Sequence, residues 1–225
     1  MRATLRGVGW VGLAVAAAAL LWIAGVAIVA YRKAPQLVRE LERSNQLSFD
    51  PATLPASRIC ALVAVQDRAF FRHDGIGLFS GPLLHTTMTQ SVCKGLFFRG
   101  FSPGLLRHRK IMLMADAWAF DRRISKDTQL RIFVNRAYFG NVNGVEILGF
   151  KAAAAAYFGR DVLEISDGEY FALVAMLVAP ATYHVAVKPE VNSARVRWIE
   201  AVVETACTAR CIAEPPHAPC DDLSS

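Results

Sequence analysis

The 225-residue sequence holds few residues that cross-link or interrupt a chain: five cysteines, ten prolines and fifteen glycines. So few cysteines cannot build a disulfide-dense scaffold at this length, and the low proline and glycine content excludes collagen-like and low-complexity chains. Charged residues make up 20% and apolar residues 54%, a balance that fills a core and excludes a wholly disordered chain. Apolar–polar alternation is almost missing, so strands are not expected and the fold class is mainly α. No repeat is visible, and none of the five histidines stands at metal-ligand spacing to another, which argues against a zinc site.

What is present begins with residues 8–31, which carry no charge. At 1.5 Å per residue such a run makes about 36 Å of helix, enough to cross a hydrocarbon core of roughly 30 Å. It is too long for the apolar part of a signal peptide, no A-x-A site closes it, and a core helix of this length would keep a polar face. Trp10 and Tyr31 suit the bilayer interfaces, whereas Trp22 lies too deep. Arg2 and Arg6 precede the run and Arg32 and Lys33 follow it, so the flanking charge does not fix the orientation. The expected organisation is a cytoplasmic N-terminus (1–7), one transmembrane helix (8–31), a juxtamembrane linker (32–55), a single domain (56–205) and a Cys/Pro-containing tail (206–225).

Within the linker, residues 35–46 read as a separate short amphipathic helix. Ile59, Leu62, Val63, Gln66 and Phe70 fall at helical spacing and predict a helix with one buried face. Residues 75–82 read as a loop and 100–104 as a turn. Helices are expected over 105–121, from 125 to 135, over 152–158, over 165–179 and over 193–206. Ser166 followed by Glu169 is a capping-box pattern for the second-last of these. Cys207 and Cys211 lie one helical turn apart. A disulfide between them, a metal site or an unpaired tail are the alternatives, and the pairing of Cys207, Cys211 and Cys220 stays open.

The formal charge of +6 is unevenly placed: residues 94–136 hold ten Lys/Arg against three acids. Arg107, Arg109 and Lys110 crowd together there, and such groups can hold a diphosphate. The alternative is a solvated basic face. A nucleic-acid partner is not expected, because the chain is anchored and shows no nucleic-acid motif. Ahead of this segment stand two polar clusters, Gln66-Asp67 through His73-Asp74-Gly75 and His85-Thr86-Thr87-Met88-Thr89-Gln90 up to Lys94. Clustered hydroxyls, an amide and a lysine suit a phosphorylated or sugar substrate. Each also has a bland reading: Gln66 as a satisfied core amide, His73 as a structural hydrogen bonder, the threonines as a helix cap.

In order, these blocks resemble the peptidoglycan glycosyltransferase family, that of monofunctional transglycosylases and of the N-terminal domain of bifunctional penicillin-binding proteins. Its first motif, E-D-x-x-F-x-x-H-x-G, is matched by Asp67, Phe70, His73 and Gly75. Its second, S-T-x-T-Q-Q followed by Lys, is matched by Thr86, Thr87, Thr89, Gln90 and Lys94. The third, R-K-x-x-E, is entered by Arg109 and Lys110. A fourth block is matched by Asn135, Tyr138, Phe139, Gly140, Gly144 and Val145, and 153–159, Glu169, Leu173, Pro180 and Tyr183 continue the resemblance.

The resemblance implies a lysozyme-like α domain beside the bacterial inner (cytoplasmic) membrane and facing the periplasm. It also implies a role in polymerising lipid II into glycan strands. His73, Thr87, Thr89, Gln90, Lys94, Arg109 and Lys110 become the candidate substrate-binding residues. Lipid II or a glycan chain, the membrane and other cell-wall synthesis proteins become the expected partners. No resident cofactor is expected, although a divalent metal, Mg or Mn, would assist an active member.

At the two glutamate positions of the family's motifs stand Gln66 and Leu113. An amide cannot take up a proton near neutral pH, and losing a general base typically costs about 10²–10⁴ in rate. Ser91 replaces the second motif's last Gln, Arg131 stands where an acid is usual, and the stretch between Gly75 and Thr86 is short. Asp67 lies next to the first position but is rotated by about 100° along a helix. Asp116 lies three residues beyond Leu113, near the same face. The expectation is therefore a binding protein with lost or much reduced polymerase activity. The alternative is an active transglycosylase that uses Asp67 or Asp116.

Overall fold

The computed structural model describes residues 2–77, 86–98 and 106–207. The expected turn at 100–104, His85, the side chain of Arg107, and Cys211 and Cys220 lie outside the described residues. Among the described residues the chain is mainly helical, with eight helices and one hairpin in sequence order.

Helix α1, Arg2–Arg43, is a single element that runs through Pro35. The separate juxtamembrane helix expected over 35–46 is therefore, as far as Arg43, the last part of the long apolar helix α1. Its continuity has a packing cause. Ala30, Ala34, Val38 and Leu41 are buried at i, i+4, i+8 and i+11, one stripe against the domain. Leu13, Leu20, Leu21 and Trp22, farther toward the N-terminus, are exposed, as expected of side chains that face lipid. This is the one helix among the described residues long and apolar enough to cross a membrane.

Asp50 caps a single 3-10 turn, Pro51–Thr53, by accepting from the Ala52 amide. Helix α2, Ala56–Gln66, then delivers the first polar cluster. Helices α3 (Met88–Phe97), α4 (Leu106–Asp121) and α5 (Lys126–Arg136) follow. Helix α4 lies along α1, and just past its end Arg123 sits 5.3 Å over the Tyr31 ring.

Strands β1 (Tyr138–Val142) and β2 (Val145–Leu148) form an antiparallel hairpin that the sequence reading did not anticipate. Its signal was the turn: Asn143 and Gly144 take φ of 52° and 82°, the two-residue loop that matches strand twist. The ladder is irregular between Tyr138 and Asn141, which erased the alternation. Helices α6 (Phe150–Phe158), α7 (Asp167–Met176) and α8 (Pro189–Ala206) complete the domain. The capping box forms as expected, with Ser166 and Glu169 bonding each other's backbone amides.

Two ties hold the C-terminal half to α2. Arg58 is buried and spends its guanidinium on Asp167 (2.7 Å), the Val162 carbonyl (3.0 Å) and the Ile165 carbonyl (2.6 Å). A buried cation needs such complete pairing to offset its lost hydration. The second tie is a disulfide between Cys60 and Cys207 across 147 residues. It corrects the sequence reading, which looked only among the tail cysteines for a partner of Cys207. Cys60 lies inside an apolar helix, where a cysteine reads as core.

Closing so long a loop strongly restricts the unfolded chain. Replacing both cysteines by serine is expected to lower unfolding free energy by about 2–5 kcal/mol. Urea unfolding of the detergent-solubilised protein, with and without reductant, measures this, and unchanged stability would refute the staple.

Candidate functional site

The site starts where α2 stops. Asp67 takes φ −163° and ψ 80°, so the chain leaves helical geometry one residue after Gln66 and before Phe70. This differs from the longer helix that the apolar spacing suggested. Phe70 is nevertheless fully buried; the turn after Asp67 carries it into the core. In that turn the amides of Arg72 and His73 both donate to the Ala69 carbonyl, bringing His73 back beside Asp67.

His73 Nε2 lies 2.8 Å from Asp67 Oδ2, while the Gly75 amide donates to His73 Nδ1 at 2.9 Å. With Nδ1 accepting, Nε2 carries the hydrogen and donates it to the carboxylate. The Met88 amide, in the first turn of α3, donates to the same Oδ2 at 2.9 Å. Thr87 caps α3 by accepting from the Gln90 amide and donates its own hydroxyl to the Gly75 carbonyl at 2.7 Å. Gly75 has φ +84°, and a Cβ there would fall 2.4 Å from the Ala117 carbonyl of α4. Only glycine fits so close an approach. The first two sequence blocks are thus one hydrogen-bonded unit seated on α4.

Thr89 turns the other way, into the core, and donates to Gln129 Oε1 at 2.7 Å. Gln129 in turn donates to Asp121 at 3.0 Å and to the Ile124 carbonyl at 2.8 Å. Lys126 pairs with the same Asp121 oxygen and lies 4.8 Å over the Phe70 ring. Gln129, Asp121 and Lys126 were missed in the sequence. Gln129 had a signal: it falls on the buried stripe with Ile132 and Phe133, where an amide needs partners.

Buried Gln90 accepts from Lys110 Nζ at 3.2 Å, which joins the hydroxyl cluster to the basic segment. Burial lowers the pKa of Lys110 from its ordinary value. Arg109 beside it is half-buried, and Lys94 is exposed on α3. Leu113, one turn on from Lys110, packs against the core. Asp116, a further turn on, is buried, and desolvation pushes its carboxyl up to about 6. Burial, with Asp116 and Asp121 nearby, raises the Cys93 thiol well above its usual value.

Gln66 is half-buried and points an amide hydrogen to the Val174 carbonyl of α7 at 3.4 Å. The side chains at these motif positions suit a divalent cation poorly. Gln66 is neutral, Leu113 is apolar and Asp67 Oδ2 already holds two donors. Among the described residues no three of His, Cys, Asp and Glu are placed to hold a metal ion together. Divalent cations of the Mg class need charged oxygen donors.

The transglycosylase family model matches residues 86–204, more than half of the chain. The chain belongs to the transglycosylase family. Penicillin-binding protein 1B of Escherichia coli is 32% identical over 170 residues, covering 68% of this chain and 20% of that protein. Penicillin-binding protein 1B of Haemophilus influenzae is 30% identical over 173 residues, covering 68% and 21%. Penicillin-binding protein 1A of Pseudomonas aeruginosa is 28% identical over 185 residues, covering 75% and 21%. The chain therefore spans about a fifth of the length of these relatives. The matched transglycosylase segment includes α3, α4 and α5, with the Thr87–Lys110 cluster. Gln66 and Asp67 lie ahead of it.

Asp116 gives the domain a pH dependence. Its folded-state carboxyl keeps a proton up to about pH 6, whereas the ordinary value is 3.8. As pH rises the unfolded state loses its proton first, so stability falls between these values and stays lower above them. Asp116→Asn is expected to remove that fall and raise stability at pH 7.5 by about 1–3 kcal/mol. Thermal melts at pH 4.5 and 7.5 check it, and an identical pH response in the variant would show that the carboxyl is not desolvated.

Proposed function

We propose that this protein is a membrane-anchored, peptidoglycan glycosyltransferase-like component of bacterial cell-wall synthesis. It binds lipid II or a glycan strand, with polymerase activity lost or much reduced. The observation that carries the reading is the pair Gln66 and Leu113. Transfer of a sugar from a diphosphate needs a group to take the acceptor hydroxyl's proton, and neither side chain can. Asp67, the nearest carboxylate in sequence, is buried and bonded to His73 and the Met88 amide. A binding frame remains, with Lys94, Arg109 and Lys110 around α3 and α4 for an anionic diphosphate.

The periplasmic orientation is part of the proposal. A Cys60–Cys207 disulfide supports it, because disulfides persist where the compartment is oxidising. The membrane helix α1 would keep the domain beside a lipid-linked ligand, and partners in the same synthesis machinery would complete the role. A second reading, an active polymerase, has one observation in its favour. Asp116 titrates near 6, and none of the described residues hydrogen-bonds it. A general acid–base group works best with its pKa close to the operating pH.

Purified full-length protein in nanodiscs, given labelled lipid II with Mg or Mn, tests both readings. The expected result is binding without polymer, and glycan polymer gained by Gln66→Glu with Leu113→Glu. Polymer made by the unaltered protein and lost in Asp116→Asn would establish the second reading instead. An absence of binding to both lipid II and glycan would sink the proposal.

A further inference from the structure

We infer that α5 is a rigid bridge that fixes how the candidate site stands over the membrane, with Arg131 and Asn135 as its positioning residues. The inference about stance rests on the proposed lipid-linked ligand; the bridge itself rests on geometry alone.

After α1 ends at Arg43, the amides of Ser44, Asn45 and Gln46 still donate to the Glu40, Glu42 and Leu41 carbonyls, and the chain then runs through residues 47–49 with no helix or strand of its own. The buried α1 stripe already sets the anchor against the domain, and the path of the chain from that helix into the domain is what remains to be held. Side chains of α5 hold that path. Arg131 donates twice to the Leu47 carbonyl, from Nε at 3.1 Å and from Nη2 at 2.6 Å, and its Nη1 lies 4.0 Å from Glu42 in the last turns of α1. Asn135 bonds both polar groups of Phe49, accepting from its amide at 3.0 Å and donating to its carbonyl at 2.7 Å. Arg136 donates to the Gln46 side chain. Leu47 and Phe49 are themselves buried.

The principal bonds go to backbone atoms, so they hold the path of the chain and not merely one side chain. Arg131 and Asn135 stand one turn apart on a single face of α5. Gln129 lies roughly 200° and 240° around the helix from them, and there it accepts from Thr89 of α3. Thr89 adjoins Gln90, which accepts from Lys110. A continuous set of bonds thus runs from the end of the membrane helix, through α5, to the polar cluster of the candidate site. Because a lipid-linked headgroup sits at a fixed depth, a fixed stance raises the effective concentration of site and ligand for each other.

The test uses the full-length protein in nanodiscs, with non-thiol spin labels at exposed Gln36 on α1 and Glu164 in the domain. The distance distribution is expected to be narrow in the unaltered protein. It should broaden by several ångströms in Arg131→Gln and further in Arg131→Gln with Asn135→Ala. Thermal melts identify any variant that is simply unfolded, and the milder single variant guards against that outcome. Capture of lipid II within the same bilayer should weaken several-fold, while binding of a soluble glycan fragment stays unchanged. A distribution that stays narrow in both variants would overturn the bridge. Equal losses for the embedded and the soluble ligand would overturn the positioning role. If the unaltered protein binds neither ligand, the proposed function fails, and the distance measurement still decides the bridge.

Discussion

One buried carboxylate organises the centre of the molecule. Asp67 Oδ2 receives the His73 imidazole and the Met88 amide at once, so it joins the end of α2, the following turn and the beginning of α3. Hydrogen bonds to an ionised group contribute about 1.5–3 kcal/mol each, and an unmade buried one costs a similar amount. Removing the carboxylate would leave a helix amide and an imidazole unpartnered in a closed environment. The rest of the site is placed by this junction. Thr87 caps α3 because the junction sets where α3 starts, and Gly75 meets the Ala117 carbonyl because the same turn ends there. The basic residues of α4 then lie beside Gln90.

The sequence made the helical periods, the membrane helix and the Ser166–Glu169 cap readable, since each is a local pattern with a local cause. It did not show where α2 ends. Phe70 continues the apolar stripe by spacing, yet it reaches the core from a turn, and spacing alone cannot separate the two. The hairpin was hidden by an irregular register and betrayed only by Asn143-Gly144. The Cys60–Cys207 pair and the Arg58 cluster join residues more than 100 apart in sequence, and no local pattern carries such contacts. At the candidate site the residue types were readable but their partners were not. Thr89 and Gln90 are adjacent, yet one faces Gln129 and the other Lys110.

The anchor is also part of the core. The stripe Ala30, Ala34, Val38 and Leu41 is buried against the domain, so the last turns of α1 contribute to packing as well as continuing the apolar helix that is the candidate membrane span. This explains how Pro35 is tolerated inside a helix: it removes one backbone bond, at a cost of about 3 kcal/mol, while the apolar contacts on either side hold the helix together. A chain with this arrangement cannot be cut between anchor and domain without exposing core surface. Arg131 belongs to the same logic. In the sequence it is an odd cation where an acid was expected; in the structure it answers a carbonyl and lies near Glu42.

The bonding of the motif residues bears on what their presence means. His73, Thr87, Thr89 and Gln90 each have a protein partner that the fold requires, so their retention would be expected in an active enzyme and in an inactive relative alike. They report the frame. On the proposed reading Gln66 and Leu113 differ in kind, because the chemistry of the resembled motifs calls for glutamates there. Leu113 packs against the core, where a carboxylate would have to be desolvated or charge-paired, a costly arrangement that only a catalytic use would repay. Without such a use, an apolar side chain is the more stable occupant. An intact hydrogen-bonded frame with uncharged residues at these two positions is the arrangement that the proposed function requires.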